Sequence, residues 1–402
     1  MPALRAVPPR AATPMNGGQP RALEGAWPAQ AGRLFELLYR SAPPAAVHAV
    51  LAGLLATLVL LIARAHWVSF SGMADDYCVG EWLINYAGGF VRRGLGGAVI
   101  LALTDAFGVR PRLAVFAVLA ACYAATLLTL AVAVMRPPRV TVLDLLLVVS
   151  PFAALFPLLH AVAANRKEVL LFALAALAYG TDLGQLRSSA RCIFWALVLA
   201  VLVAIHDGAI FFVPLFLFYL RALTPARYPL GWRLGLVALP ALVVFIAGYL
   251  YAGQVDIGAI CGAMARREPG RWCEPNARVQ FTFAAAWLKA TALDGARSAI
   301  SRYTLLGIAE TVLLGLLGLL PVVLALAREA TQLREVLRSM PAPGVFVTLC
   351  VLALAALFVV GNDWNRWFYI LTSLLTMLHF ALYEREASGA HTTQLPGVKV
   401  GR

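Results

Sequence analysis

The chain carries little charge for its length. Only 13% of its 402 residues are charged, 61% are hydrophobic, and the mean hydropathy is +0.80. In soluble globular domains about 25% of the residues are charged. The shortage of charge therefore excludes a water-soluble enzyme or binding module and indicates a protein embedded in a membrane.

Two further features are missing from the sequence. The six cysteines, at positions 78, 122, 192, 261, 273 and 350, form no C-x-x-C pair, which argues against a zinc or iron–sulfur site. The first 40 residues contain no early apolar core, so we expect no cleavable signal peptide there. Cys261 and Cys273 lie in one long loop, where an oxidising periplasm would permit a disulfide.

Positive charge is present in excess, with a net charge of +13. The basic residues fall mostly in connections between apolar segments. Such a distribution is typical of a protein that contacts membrane lipids at both surfaces, and it argues against nucleic acid as a partner.

Long apolar stretches predict the fold class, an all-α polytopic membrane protein of about ten spans. A bilayer core requires an apolar stretch of about 20 residues. Six stretches have roughly this length, at 45–63, 113–135, 140–159, 234–252, 304–327 and 344–361. Four shorter ones lie at 169–180, 193–205, 208–220 and 367–383.

The orientation depends on residues 94–107, which are too short for an ordinary span. If this segment does not cross, the short connections on one side and the C-terminal tail hold thirteen Lys or Arg. The other side holds five in its short loops and seven in the long 253–303 loop, so the count is nearly a tie unless long loops, which influence orientation least, are set aside. If it crosses, these positions exchange sides. The positive-inside rule favours the first arrangement, with both termini in the cytoplasm.

Three regions follow from this topology. Residues 1–44 form a flexible cytoplasmic arm, 45–383 the membrane domain, and 384–402 a flexible cytoplasmic tail. The large outer loops are 68–112 and 253–303. Within the first outer loop we expect two interfacial helices, at 79–88 and 94–107.

Polar clusters from five regions then lie on one membrane face. Charges at the ends of apolar spans are costly unless paired or solvated, so their gathering around one outer cavity is a functional hypothesis; ordinary loop charges are the alternative. The candidate site residues are Asp75, Asp76, Arg92, Arg93, Asn165, Arg166, Lys167, His206, Asp207, Asp363 and Arg366.

The residue types suggest roles. Asp75 or Asp76 can act as a general base or hold a divalent cation; a helix N-cap is the alternative. Arg92 and Arg93 suit a phosphate, which the neighbouring glycines would let approach the backbone, or else they bind lipid headgroups.

The remaining clusters also have alternatives. Arg166 and Lys167 lie on the outer side, where the topology in the membrane does not require basic residues, and this favours a ligand phosphate there. Glu168 can simply stabilise a helix N-terminus. His206 and Asp207 form either a substrate contact or a capped turn. Asp363 and Arg366, three residues apart, are expected to pair with each other.

This layout resembles the C-type (GT-C) glycosyltransferase superfamily over about residues 45–300. The correspondence consists of the Asp75-Asp76 pair after the first span, two helices in the first outer loop, short outer turns and a large loop after the seventh span. Phrases such as "GGFVRRGLGG", "NRKE", "HDG" and "DWNRW" also resemble uncharacterised bacterial membrane proteins.

The resemblance implies sugar transfer from a polyprenyl-phosphate-linked donor to a lipid or glycan acceptor at the outer face of a bacterial inner membrane. The general base would be Asp75 or Asp76, and no cofactor beyond a possible divalent cation is expected. The resemblance assigns the lipid phosphate to Arg92, Arg93, Arg166 and Lys167, and the sugar or acceptor to His206, Asp207, Asp363 and Arg366.

Two other functions remain open. A polysaccharide polymerase or ligase would depend on an arginine or histidine, with Asp75 and Asp76 dispensable. A transporter or flippase would carry ionisable residues at mid-membrane and inverted repeats. No repeat is visible in this sequence.

Overall fold

The computed structural model describes residues 35–70, 76–136, 140–160, 165–225, 228, 231–251, 254–270, 273, 284–302, 304–361 and 363–393. Over these ranges the chain is helical, and its one β feature is an isolated bridge between Ser41 and Thr141. The prediction of an all-α membrane protein is confirmed. The predicted general base Asp75 lies outside the described residues, as do most of the N-terminal arm and the end of the tail.

The described part of the chain contains sixteen α-helices. In chain order they are α1 (Pro44–Phe70), α2 (Asp76–Trp82), α3 (Gly94–Phe107), α4 (Pro111–Met135), α5 (Val142–Val148), α6 (Phe156–Leu159), α7 (Val169–Gly180), α8 (Ser189–Ile205), α9 (Val213–Leu223), α10 (Arg233–Leu250), α11 (Ile257–Ala265), α12 (Ala292–Arg302), α13 (Leu305–Arg328), α14 (Ala330–Arg338), α15 (Pro343–Val360) and α16 (Trp364–Thr393).

Four helices are long and apolar enough to cross a membrane, namely α1, α4, α10 and α13. The pair α14 and α15 makes a fifth candidate if its 106° bend lies within one span. Helices α3, α7 and α8 are apolar but shorter. The figure of about ten spans therefore stays a prediction.

The stretch 140–159, predicted as one span, is broken into α5 and α6. Pro151 follows directly after α5 and the turn that ends it. Proline has no backbone N–H and disfavours helical geometry in the residue before it, so the helix stops there. A second proline, Pro157, is the second residue of α6 and lies in the first turn, where a missing N–H costs no helical hydrogen bond.

Contacts between helix ends define two ends of the bundle. At the first, which we term the near end, Arg112 at the start of α4 donates to the carbonyl of Ser69 at the end of α1. At the opposite, or far, end the backbone N–H of Ala42 bonds to the carbonyl of Val140. The connection between α1 and α4 thus leaves and returns at the near end.

The last helix, α16, links the two ends. It packs against α13, α9 and α7 and buries one continuous apolar face, including Ile370, Leu374 and Leu378. The helix continues to Thr393, beyond Glu384, where a flexible tail was predicted to begin. Glu384 accepts hydrogen bonds from Tyr179 at 2.7 Å and from Arg136 at 3.0 Å at the far end.

Glycines let α3 pack tightly against the segment before it. A Cβ on Gly97 would lie 2.1 Å from the carbonyl oxygen of Ile84, and one on Gly88 would lie 2.0 Å from that of Asp256. The sequence suggested that these glycines admit a phosphate. In the structure, the close approach at both positions is instead made by the chain's own backbone.

We expect Gly97→Ala to destabilise the protein by about 1–3 kcal/mol, because backbone atoms cannot move aside as a flexible side chain can. Gly53→Ala is the matched control, since nothing lies within 4 Å of its Cβ position in α1. There alanine should leave stability unchanged or raise it by about 0.5–1 kcal/mol. Equilibrium unfolding in mixed micelles measures both variants, and equal stabilities would contradict the packing role of Gly97.

Candidate functional site

A network of buried charged side chains lies at the near end of the bundle. Its carboxylates are Glu81, Glu168, Asp207 and Asp363, and its cationic or titratable partners are Arg92, Arg93, Arg166, Lys167, His206 and Arg366. Nine of the predicted site residues are in or beside this network. Of the other two, Asp75 is outside the described residues and Asp76 is described only as the first residue of α2.

Glu81, which sequence reasoning missed, connects two arginines. Its side chain is 2% exposed, and its two carboxylate oxygens face Arg166 Nε at 2.9 Å and Arg93 Nη1 at 3.4 Å. The sequence did contain a clue, because Glu81 is a single acid in the otherwise apolar run CVGEWLI. A lone carboxylate in such a run needs a cationic partner.

Asp207 is the second carboxylate that binds two arginines. It accepts a hydrogen bond from Arg93 Nε, and Arg92 Nη1 lies 3.5 Å from its other oxygen. Burial raises the pKa of the Asp207 carboxyl, but the charges of Arg93 and Arg92 lower it by more, so the resulting pKa is about 2. Asp207 is therefore a permanent anion that holds the arginine pair, and its side chain also accepts from the N–H of Gly208.

Glu168 joins two more regions of the chain. Its carboxylate lies 3.1 Å from Arg366 Nε and 3.3 Å from His206 Nε2. Burial raises the pKa of this carboxyl, whereas Arg366 and His206 hold it well below its usual range. Glu168 lies at the N-terminus of α7, as expected, but its side chain makes no cap there. The side chain instead joins the start of α7 to His206 and to Arg366.

Arg366 also confirms the predicted pair with Asp363, at 3.3 Å one helical turn away. The Asp363 side chain is 29% exposed, whereas that of Glu168 is 4% exposed. Arg366 thus pairs with one buried carboxylate, Glu168, and one partly solvated carboxylate, Asp363.

Lys167 lies at the centre of the network and is fully buried. Its ammonium donates to the backbone carbonyls of Arg93, at 3.1 Å, and Ile205, at 3.0 Å. Burial lowers the pKa of Lys167 to about 7. Arg93 has a left-handed backbone with φ of 65°, which is uncommon for a residue with a side chain. The hydrogen bond from Lys167 to the Arg93 carbonyl is one of the contacts that stabilise this backbone conformation.

Asn165 has a structural contact as well. Its backbone carbonyl accepts a hydrogen bond of 2.8 Å from Trp82 Nε1, and the residue is buried. This contact joins the end of α2 to the segment before α7, directly beside Arg166.

Among the cations of the network, Arg93 is the one that a ligand can reach most easily. Its side chain is 24% exposed, against 8% for Arg92, 7% for Arg166 and 8% for Arg366. Burial lowers the pKa of Arg93, but Asp207 and Glu81 raise it by more. The net pKa lies above its ordinary value, so the guanidinium keeps its charge. The chemistry available here is binding of an anion by a guanidinium that two carboxylates orient.

An aromatic cleft lies beside Arg92 and Asp207. Tyr86 stacks on Phe90 with ring centroids 5.6 Å apart, and both line the cleft together with Arg92 and Asp207. The guanidinium of Arg92 lies 4.6 Å from the ring centroid of Tyr249. The lining of this cleft thus combines aromatic rings with a charged pair, Arg92 and Asp207.

Described residues of the long loop after α10 contact the near end of the bundle. Cys261 and Cys273 form a disulfide in it, as an oxidising compartment would permit. The loop is bound to the rest by Arg267 paired with Asp105 and by Glu268 at 3.3 Å from Arg112. In the described ranges no three His, Cys, Asp or Glu residues gather as a metal site requires.

A family model described as uncharacterised membrane protein Rv1490 matches residues 47–264, a range that runs from α1 into α11. Neither a curated protein nor a solved structure matches the chain. The matched range includes Glu81, Arg93, Lys167 and Asp207, and it covers more than half of the chain. The chain therefore belongs to the membrane protein family described as uncharacterised membrane protein Rv1490.

Proposed function

We propose that the chain is a GT-C-like membrane glycosyltransferase that moves a sugar from a polyprenyl-phosphate-linked donor to a lipid or glycan acceptor. The reaction takes place at the outer face of a bacterial inner membrane, at the near end of the bundle. Orientation is supported by arginines that collect at the far end, which the positive-inside rule assigns to the cytoplasm. They include Arg136, Arg187, Arg191, Arg221, Arg328 and Arg385.

About ten crossings fit this orientation. They are α1, α4, the broken pair α5 and α6, then α7, α8, α9, α10, α13, α15 and α16. Helix α3 stays on the near side, because Arg93 before it pairs with Asp207 and Asp105 near its end pairs with Arg267.

The observation that carries the proposal is the position of Arg93. It is the most accessible cation of the network, it is held by Asp207 and Glu81, and Arg92 lies beside it. Guanidinium groups bind phosphate oxygens in a bidentate manner and do not lose their charge. The aromatic cleft offers the adjoining apolar surface that an isoprenoid phosphate needs.

In the proposed reaction an acceptor hydroxyl attacks the anomeric carbon of the donor sugar. A new C–O bond forms, the bond from the sugar to the phosphate oxygen breaks, and polyprenyl phosphate leaves with the negative charge. Arg93 and Arg92 stabilise that charge. The hydroxyl proton passes to Asp75 or Asp76. Asp76 is the first residue of α2, and Glu81 lies about 8 Å further along the axis of that helix.

Phosphate recognition is tested by binding of undecaprenyl phosphate and undecaprenol to the full chain in nanodiscs. We expect the phosphate to bind at least about tenfold more tightly, and Arg93→Gln to remove most of this preference. Arg267→Gln is the matched control, because Arg267 pairs with Asp105 on the same face but outside the network. Equal binding of the phosphate and the alcohol by the wild type would refute the proposal.

Catalysis is tested separately by comparing cell-surface glycans after Asp75→Asn and Asp76→Asn, with both variants present in the membrane at normal levels. Loss of a glycan in either variant supports the general-base role. Unchanged glycans in both, together with loss in Arg93→Gln, would favour the polymerase or ligase alternative.

A further inference from the structure

A second group of arginines lies at the far end of the bundle, away from the charge network. Arg221, in the last turn of α9, donates from Nη1 to the carbonyl oxygen of Thr224 at 2.7 Å. Arg385, in α16, donates from its own Nη1 to the same oxygen at 3.3 Å. Two guanidinium groups therefore meet at one carbonyl.

This pair differs from the arginines of the near end in its described contacts, which are to a carbonyl oxygen instead of carboxylates. Arg221 is 1% exposed, and its Nε is buried without a hydrogen-bond partner. Over the ranges that the structure describes, neither Arg221 nor Arg385 forms an ion pair with a carboxylate; Glu335 acts on Arg385 only from a distance. Like charges this close repel strongly where water is scarce.

A helix C-terminus accounts for only part of this arrangement. Thr224 follows the last residue of α9, and a basic side chain near that end is favourable. That explains the bond from Arg221 Nη1. It does not explain the orphaned Nε of Arg221 or the arrival of a second cation, and both features are expected where an anion completes the site.

We propose that Arg221 and Arg385 form a binding site for a phosphate group, supplied by an anionic phospholipid of the leaflet at the far end. The lipid is favoured over a free phosphate ion because an amphipathic helix, α14, packs against both α9 and α16. Such helices lie at the headgroup level, where anionic lipids concentrate. The site is independent of the proposed function at the near end.

The test counts lipids bound to the full chain by native mass spectrometry in a neutral detergent. Dioleoyl phosphatidylglycerol is the probe, and dioleoyl phosphatidylcholine, which has no net charge, is the headgroup control. We expect the first phosphatidylglycerol to bind about tenfold more weakly to Arg221→Gln combined with Arg385→Gln than to wild type. Arg191→Gln should match wild type, since Arg191 lies at the same end but donates to the carbonyls of Asp182 and Gln185.

Arg385→Gln alone keeps the test valid if the double variant does not fold, because Arg385 is only partly buried. Wild-type affinity for phosphatidylglycerol in Arg385→Gln, or in a folded double variant, would overturn the proposal. Sodium phosphate added as a competitor identifies the source of the phosphate. Displacement of the first lipid by millimolar phosphate assigns a soluble phosphate compound to the site, and no displacement assigns the lipid headgroup.

Discussion

Glu81→Gln is expected to destabilise the folded protein by about 3–5 kcal/mol, the usual cost of removing one partner from a buried ion pair. Glu81 is the carboxylate between Arg93 and Arg166, and both arginines would keep their charge after the substitution. Glutamine has the same shape, so the loss measures charge and not volume. Equilibrium unfolding in mixed micelles gives the free energy of unfolding.

A matched control for Glu81 is Asp105→Asn. Asp105 also pairs with an arginine at the near end, but its side chain is 55% exposed, so water replaces the lost contact. We expect little change in stability for this variant. A Glu81→Gln variant as stable as wild type would show that the network does not hold α2 against α3 and the segment before α7.

The second large effect is expected for Glu168→Gln, again about 3–5 kcal/mol of unfolding free energy. Glu168 is the buried carboxylate of Arg366 and also faces His206, so its removal loosens the contact between α16, α7 and the end of α8. Asp363→Asn tests the same arginine from its solvated side. That variant should cost less than about 1 kcal/mol, because exposed ion pairs contribute little.

The difference between these two variants is diagnostic. Equal losses for Glu168→Gln and Asp363→Asn would mean that Arg366 is not held by the buried network. A double variant that combines Glu168→Gln with Arg366→Gln should lose less than the sum of the single losses, since both remove the same contact.

Local patterns identified charged residues at the near end and the short-range pair of Asp363 with Arg366, but not the partners that lie far apart in sequence. Hydropathy located Arg92, Arg93, His206 and Asp207 at the ends of apolar segments, because charge is costly inside a bilayer wherever it occurs. The pairing of Arg93 with Asp207 joins residues that are 114 positions apart. No short-range pattern encodes such a distance.

Glu81 and Glu168 show why the rest was missed. Glu168 has an ordinary explanation at a helix N-terminus, and Glu81 is one acid in an apolar run, so neither was among the predicted site residues. Their burial became apparent only once α2, α7 and α16 were packed together, which brings arginines to both carboxylates.

The sequence by itself determined the class of this protein. Its excess of apolar residues, its shortage of charge and its basic connections indicate a membrane protein. Its apolar stretches of about 20 residues indicate helices, which satisfy their backbone polar groups internally within a bilayer. The tertiary structure decided which charges meet. Burial makes each unpaired charge expensive, and helix packing alone determines which partner is near enough to remove that cost.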